Sequence, residues 1–178
     1  EFPGKQLISS VACGARHGLA IEPNGSLWSW GDNSTGQLGN GNYISSEVPC
    51  LVKLPDTADP VALQFVSAAG GEAHSAAISM QGQVYVWGWG NTQQKFESSI
   101  ASTCPTPLSR IVAPVYAIAC GAHHVLVLCS HNTIYSWSPS FENSTDGKFK
   151  ELVAFKMTKF FLRESAAVLT CRDDTNLA

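Results

Sequence analysis

The sequence predicts an all-β chain: a partial β-propeller of three repeated blades with part of a fourth. Three observations carry this reading. A short motif recurs in register at a spacing near fifty residues. Each copy opens a hairpin-like pair of strands. Those strands are apolar on both faces.

The repeat is visible in three windows. Ala12-Cys13-Gly14-Ala15-Arg16-His17, Ala69-Gly70-Gly71-Glu72-Ala73-His74 and Ala119-Cys120-Gly121-Ala122-His123-His124 align on Ala, Gly and His, and each His is followed at equal spacing by a tryptophan, Trp30, Trp87 or Trp137. The period is 57 residues and then 50, which suits a propeller blade and is too long for most helical repeats.

Within each unit the pattern reads as strand, turn, strand. Residues 17–22, 74–79 and 124–129 form one strand, and residues 26–30, 83–87 and 133–137 the next. Between them lie Asn24-Gly25, Gln81-Gly82 and His131-Asn132, whose Gly and Asn residues tolerate the positive φ of tight turns. No segment shows a helical period.

The second strand shows why the units need neighbours. Leu27 alternates with Trp28 and Trp30, Val84 and Val86 with Tyr85 and Trp87, and Ile134 with Tyr135 and Trp137. Successive strand residues face opposite sides, so one face is aliphatic and the other aromatic. A sheet apolar on both faces needs a partner on each side, and radially stacked blades supply one. Units of about 8–60, 61–110 and 111–155 follow, with a degenerate 156–178 in which Ser165 stands where His stands elsewhere. Pro49 to Pro60 and Cys104-Pro105-Thr106-Pro107 read as loop or edge-strand stretches between units.

These residues resemble the regulator of chromosome condensation family, whose units carry Gly-x-x-His, a hairpin, then Trp-Gly and a glycine-rich turn. The first unit matches through Trp30-Gly31-Asp32-Asn33-Ser34-Thr35-Gly36-Gln37-Leu38-Gly39. The second keeps Trp87-Gly88 and then departs through Trp89-Gly90, and the third replaces the glycine after Trp137 with Ser138-Pro139. The resemblance implies a closed seven-bladed propeller. A single domain over 1–178 with only three units and part of a fourth is therefore expected to be a fragment, completed by missing sequence or by a second chain.

Composition narrows the function. Charged residues are only 14% of the 178, and the formal net charge is -3, so nucleic acid and anionic membrane are not expected partners. No apolar run is long enough to span a bilayer. The six cysteines form no Cys-x-x-Cys pair and read as buried thiols in a reducing compartment, cytoplasmic or nuclear. Asn24-Gly25-Ser26, Asn33-Ser34-Thr35 and Asn143-Ser144-Thr145 match the short glycosylation pattern, which weighs little against that placement.

No catalytic, metal or cofactor constellation stands out. His17, His74 and His124 could be ligands or general bases, but recurrence at equivalent positions of separate blades argues for architecture, with Gly14, Gly71, Gly121, Trp30, Trp87 and Trp137 as the other structural repeat positions. The stretch from Gly31 to Gly41 lacks the Gly-Lys-Ser/Thr of a phosphate loop. No serine sits in a Gly-x-Ser-x-Gly elbow. Trp89 stands in a loop where no other unit has Trp, so it is either a partner-binding anchor or a cap on a blade edge. Lysines interleaved with phenylalanines over 148–163 read as a guarded edge strand in preference to a nucleic-acid surface.

The expected function is a non-catalytic propeller scaffold for protein–protein interaction. The alternative is a guanine-nucleotide exchange module for a small Ras-like GTPase, because the family's founding member acts on the nuclear GTPase Ran. An enzyme is the least supported class.

Overall fold

The computed structural model describes residues 7–54, 63–89, 102–108, 111, 114–130, 133–138 and 150–152. These residues form three four-stranded antiparallel sheets, each a meander. The first holds β1 (Ser10–Cys13), β2 (His17–Ile21), β3 (Leu27–Gly31) and β4 (Ser46–Leu51). The second holds β5 (Phe65–Gly70), β6 (His74–Ser79), β7 (Val84–Gly88) and β8 (Ser102–Pro107). The third holds β9 (Val115–Cys120), β10 (Val125–Cys129), β11 (Thr133–Trp137) and β12 (Lys150–Leu152). The chain is an all-β arc of a propeller, and its two sequence-predicted strands per unit are the middle pair of each blade.

The first strand of each blade went unread in the sequence. Small residues of modest strand propensity, Ser10, Ala12 and Cys13, then Ser67 to Gly70, then Ala117, Ala119 and Cys120, are interleaved in these strands with Val11, Phe65, Val66, Val115, Tyr116 and Ile118. Packing explains them. β5 lies against β1 and β2, and β9 against β5 and β6, so the first strands converge toward the axis. A Cβ added at Gly70 would lie 2.5 Å from the backbone nitrogen of Gly14, a separation no side chain permits. The fourth strands are the proline-bearing stretches. β4 carries Pro49 and β8 carries Pro105 and Pro107, and each pairs on one side only, as an edge strand with proline does.

Cross-strand register sorts the side chains by face. Val11, Ala20, Trp28 and Leu51 form one row across the first blade, and Ser10, Ile21 and Leu27 part of the other face. Leu19, Ile21 and Leu27 then pack with Phe65, Ala77 and Trp87 of the second blade. Ala76, Ile78, Val84 and Val86 pack with Ile118, Val125, Val127 and Trp137 of the third. Each seam thus sets the aliphatic face of one blade on the aromatic face of the next. Removing a Leu, Ile or Val side chain from water in such a seam stabilises by about 1.5–3 kcal/mol.

The first blade's aromatic face has no blade over it among the described residues. Val11 is 72% exposed and Leu51 55%, while Trp87 and Trp137, at the position equivalent to half-buried Trp30, are 0% and 3% exposed. The degenerate unit 156–178, the His131-Asn132 turn and Asn143 lie outside the described residues. So do the side chains of the Lys- and Phe-rich stretch, of which only the strand Lys150–Leu152, paired to β11, is described.

Candidate functional site

Gly-x-x-His has a geometric cause. A Cβ on Gly14, Gly71 or Gly121 would lie 2.2, 2.1 or 2.3 Å from Cε1 of His17, His74 or His124. The imidazole folds back onto the bare glycine, and its backbone carbonyl accepts from that glycine's N–H at 2.9 Å in all three units. The three histidines are 5%, 0% and 9% exposed, as architecture requires.

At the first seam the imidazole ties two blades. His17 Nε2 lies 2.8 Å from Ser75 Oγ, the residue after the next blade's His. Ser75 Oγ donates its single proton to the Gln37 carbonyl at 2.8 Å, so His17 must donate and carries its proton on Nε2. The Trp87 indole donates to the same carbonyl at 2.9 Å. Gln37 belongs to the signature loop of the first blade, so that loop latches onto the second. Burial lowers the His17 pKa to about 4, against the opposing pull of the Asp32 carboxylate, and the ring is neutral at physiological pH.

The latch is internally braced. Burial pushes the Asp32 carboxyl upward, but hydrogen bonds from the Ser34 backbone and hydroxyl, Ser45 and Gln37 outweigh it and hold it below its ordinary range. Asn33 is 0% exposed; its Oδ1 accepts from the Leu38 N–H at 2.9 Å, and its Nδ2 reaches Asn40 Oδ1, the Asn42 carbonyl and the Ile44 carbonyl at 2.9–3.1 Å. One buried amide therefore spans the loop from Leu38 to Ile44. It leaves Tyr43 49% and Ile44 72% exposed at the surface. The amide of Asn33 is thereby closed to glycosylation in the folded chain, whereas Asn24 is exposed.

The second seam is built differently. The position equivalent to Ser75 is Val125, which has no hydroxyl. Neither ring nitrogen of His74 reaches a partner at hydrogen-bonding geometry, and only the His124 backbone comes near enough to favour a proton there. Burial, followed by the neighbouring His17, lowers the His74 pKa to about 3. The ring instead stacks on Trp89 at 3.8 Å and 9°, and Trp89 meets Trp137 edge-on at 5.3 Å.

This placement corrects the expectation of Trp89 as an anchor for a partner. It is 3% exposed, wedged between the second and third blades where its indole offers no surface. It also adopts φ 59°, a left-handed conformation costing a non-glycine residue on the order of 1–3 kcal/mol. The seam packing holds it there. The residues that sequence reasoning missed are Ser75, Gln37 and Asn33; only the contrast of Gly18, Ser75 and Val125 after each His hinted at the first.

No group of three His, Cys, Asp or Glu side chains able to hold a metal occurs among the described residues. No helix among them is long and apolar enough to cross a membrane.

Stacked meanders with a His–Gly return and a glycine-rich latch define a repeat propeller. Two family models, both described as the regulator of chromosome condensation (RCC1) repeat, match residues 24–78 and 8–37. The chain is built of RCC1 repeats. It is 32% identical over 150 residues to the Xenopus laevis protein RCC2 homolog, covering 80% of this chain and 28% of that protein. It is 36% identical over 137 residues to human HERC3, covering 75% of this chain and 12% of that protein. Among solved structures, Prp20p from Saccharomyces cerevisiae superposes with a TM-score of 0.58 at 25% identity, covering 74% of this chain and 33% of that one. The chain thus spans a third or less of the length of these relatives.

Proposed function

We propose that this chain is a non-catalytic section of a propeller scaffold that binds protein partners through its rim loops. The observation that carries the reading is the Asn33-braced loop. It holds Tyr43 and Ile44 outward on a frame that loses little freedom when a partner docks, which is where binding energy is otherwise spent. Tyrosine is also enriched among residues that dominate interface energies. The remainder of the ring comes from further blades, in the same protein or in a second chain, seated on the Val11 and Leu51 face. A cytoplasmic or nuclear setting fits the five cysteines that are free among the described residues, of which only Cys129 is buried.

Nucleotide exchange on a small GTPase is the second reading. It is favoured by the likeness to Prp20p, which binds Gsp1p and histones. A nucleotide-release assay over a panel of small GTPases separates the two. The scaffold reading expects unchanged release rates with the full-length protein, and expects Tyr43→Ser with Ile44→Ser to weaken purified partner complexes at least tenfold. Accelerated release at substoichiometric protein would establish exchange instead. Unchanged affinity in the loop variant, across all purified partners, would remove the loop from the interface.

A further inference from the structure

The first blade holds two Asn-Gly pairs, Asn24-Gly25 and Asn40-Gly41, and the fold treats them differently. An asparagine followed by glycine is open to loss of its side-chain amide, because no side chain on the glycine shields the backbone nitrogen that attacks. At Asn24 the Gly25 nitrogen would form a bond to Cγ while the Cγ–Nδ2 bond breaks, and ammonia leaves with the proton of the Gly25 N–H. Water then opens the cyclic imide at either carbonyl and yields aspartate or isoaspartate. Water is the one co-reactant, and nothing is oxidised or reduced.

Asn24 is arranged for this step. It is exposed in the turn between β2 and β3. Its Oδ1 accepts from the Ser26 N–H at 2.9 Å, which draws electron density from Cγ, the atom under attack. The attacking Gly25 N–H donates to the Glu22 carbonyl at 2.9 Å, a bond within the same turn, so local opening of the turn frees it. Asn40 is held instead. Its Oδ1 accepts from Nδ2 of buried Asn33 at 3.0 Å and from the Asn42 N–H at 3.3 Å, and its Nδ2 donates to Cys50 Sγ at 3.7 Å. The Gly41 N–H donates to the Thr103 carbonyl of the second blade at 2.9 Å. Attack at Asn40 therefore requires turning a pinned side chain and parting two blades.

The Asn24 turn also bears on the first seam. The Gly25 carbonyl accepts from the Phe65 N–H at 2.9 Å, and Phe65, 2% exposed, opens β5 of the second blade. Gly25 has φ +83°, and a Cβ there would lie 2.4 Å from Cβ of Gln64, so the turn has no slack against that blade. Isoaspartate adds a methylene to the main chain just before Gly25 and moves the carbonyl that Phe65 uses.

We propose that Asn24 is a site of spontaneous deamidation, and that its isoaspartyl product loosens the tie between the first and second blades. The chain thus carries a slow chemical clock at a point where two blades are joined.

Full-length protein aged at mildly alkaline pH tests this. Peptide mass spectrometry scores amide-to-acid conversion at each asparagine, and an isoaspartyl methyltransferase with labelled S-adenosylmethionine is the probe for isoaspartate. Asn24 is expected to convert at least tenfold faster than Asn40 in the folded protein, and the two rates to converge in denaturant. Asn33→Ala, which releases the Asn40 amide, should speed conversion at Asn40 and leave Asn24 unchanged. In the isoaspartyl fraction the Phe65 N–H should exchange at least tenfold faster than in unaged protein while β7 amides hold. Asn24→Asp, which adds the charge without the methylene, should keep Phe65 at the parent's rate. Asn24 converting no faster than Asn40 in the folded protein would overturn the site. Unchanged Phe65 exchange in the isoaspartyl fraction would overturn its effect on the seam.

Discussion

Removing a single oxygen atom at the first seam should be costly out of proportion to its size. In Ser75→Ala the His17 Nε2–H, on a ring that is 5% exposed in the parent, loses its acceptor. Leaving a buried donor unpaired costs about 1–3 kcal/mol. The Gln37 carbonyl loses one donor but keeps the Trp87 indole, so its share is smaller, about 0.5–1 kcal/mol. The total is about 1.5–4 kcal/mol, which in a chain of this size lowers Tm by roughly 3–16 °C. Chemical and thermal unfolding monitored by tryptophan fluorescence reads it. A double-mutant cycle with His17→Ala isolates the pair, and a coupling of at least about 1 kcal/mol is expected. Coupling below about 0.3 kcal/mol would refute the tie, because the two side chains would then be acting independently.

Three further outcomes follow from the same geometry. Gly71→Ala places a methyl 2.1 Å from His74 Cε1 and must displace a fully buried ring, so a loss of at least about 2 kcal/mol is expected in denaturant titration; a variant as stable as the parent contradicts the Gly-x-x-His account. His17 and His74 titrate at about 4 and about 3 in the fold against 6.5 unfolded, so the unfolded chain binds more protons between those values. Stability is then complete above pH 6.5 and falls as pH drops toward 4, by on the order of 3 kcal/mol for His17, and His17→Gln should flatten the slope of Tm against pH. Asn33→Ala deletes the brace from Leu38 to Ile44, and the Ile44 N–H, bonded at 2.7 Å to Asn42 Oδ1, should exchange at least tenfold faster while β6 amides hold.

Sequence patterning revealed the parts of the fold that depend on local chemistry. The Gly-x-x-His returns, the hairpin turn at Asn24-Gly25 and the aromatic columns of Trp30, Trp87 and Trp137 each follow from one blade's own residues. What was not legible depends on the neighbouring blade. Gly70 ends its innermost strand without a side chain because the backbone of Gly14 passes there, which no single-blade pattern announces. Ser75 looks like any strand serine until His17 arrives from the preceding unit. Trp89 illustrates the converse: an unrepeated loop tryptophan left open a partner anchor or a blade-edge cap, and only its 3% exposure places it in a seam.

The burial of each blade's aromatic face by the blade before it is tested most directly at the Trp87 indole. Its Nε1–H, donated to the Gln37 carbonyl across the first seam, should exchange with solvent only through opening of the seam, orders of magnitude slower than a free indole, in 15N-resolved exchange of the full-length protein. An indole proton at Trp87 that exchanges at the rate of an exposed tryptophan would mean the column faces water and the blades do not stack as described.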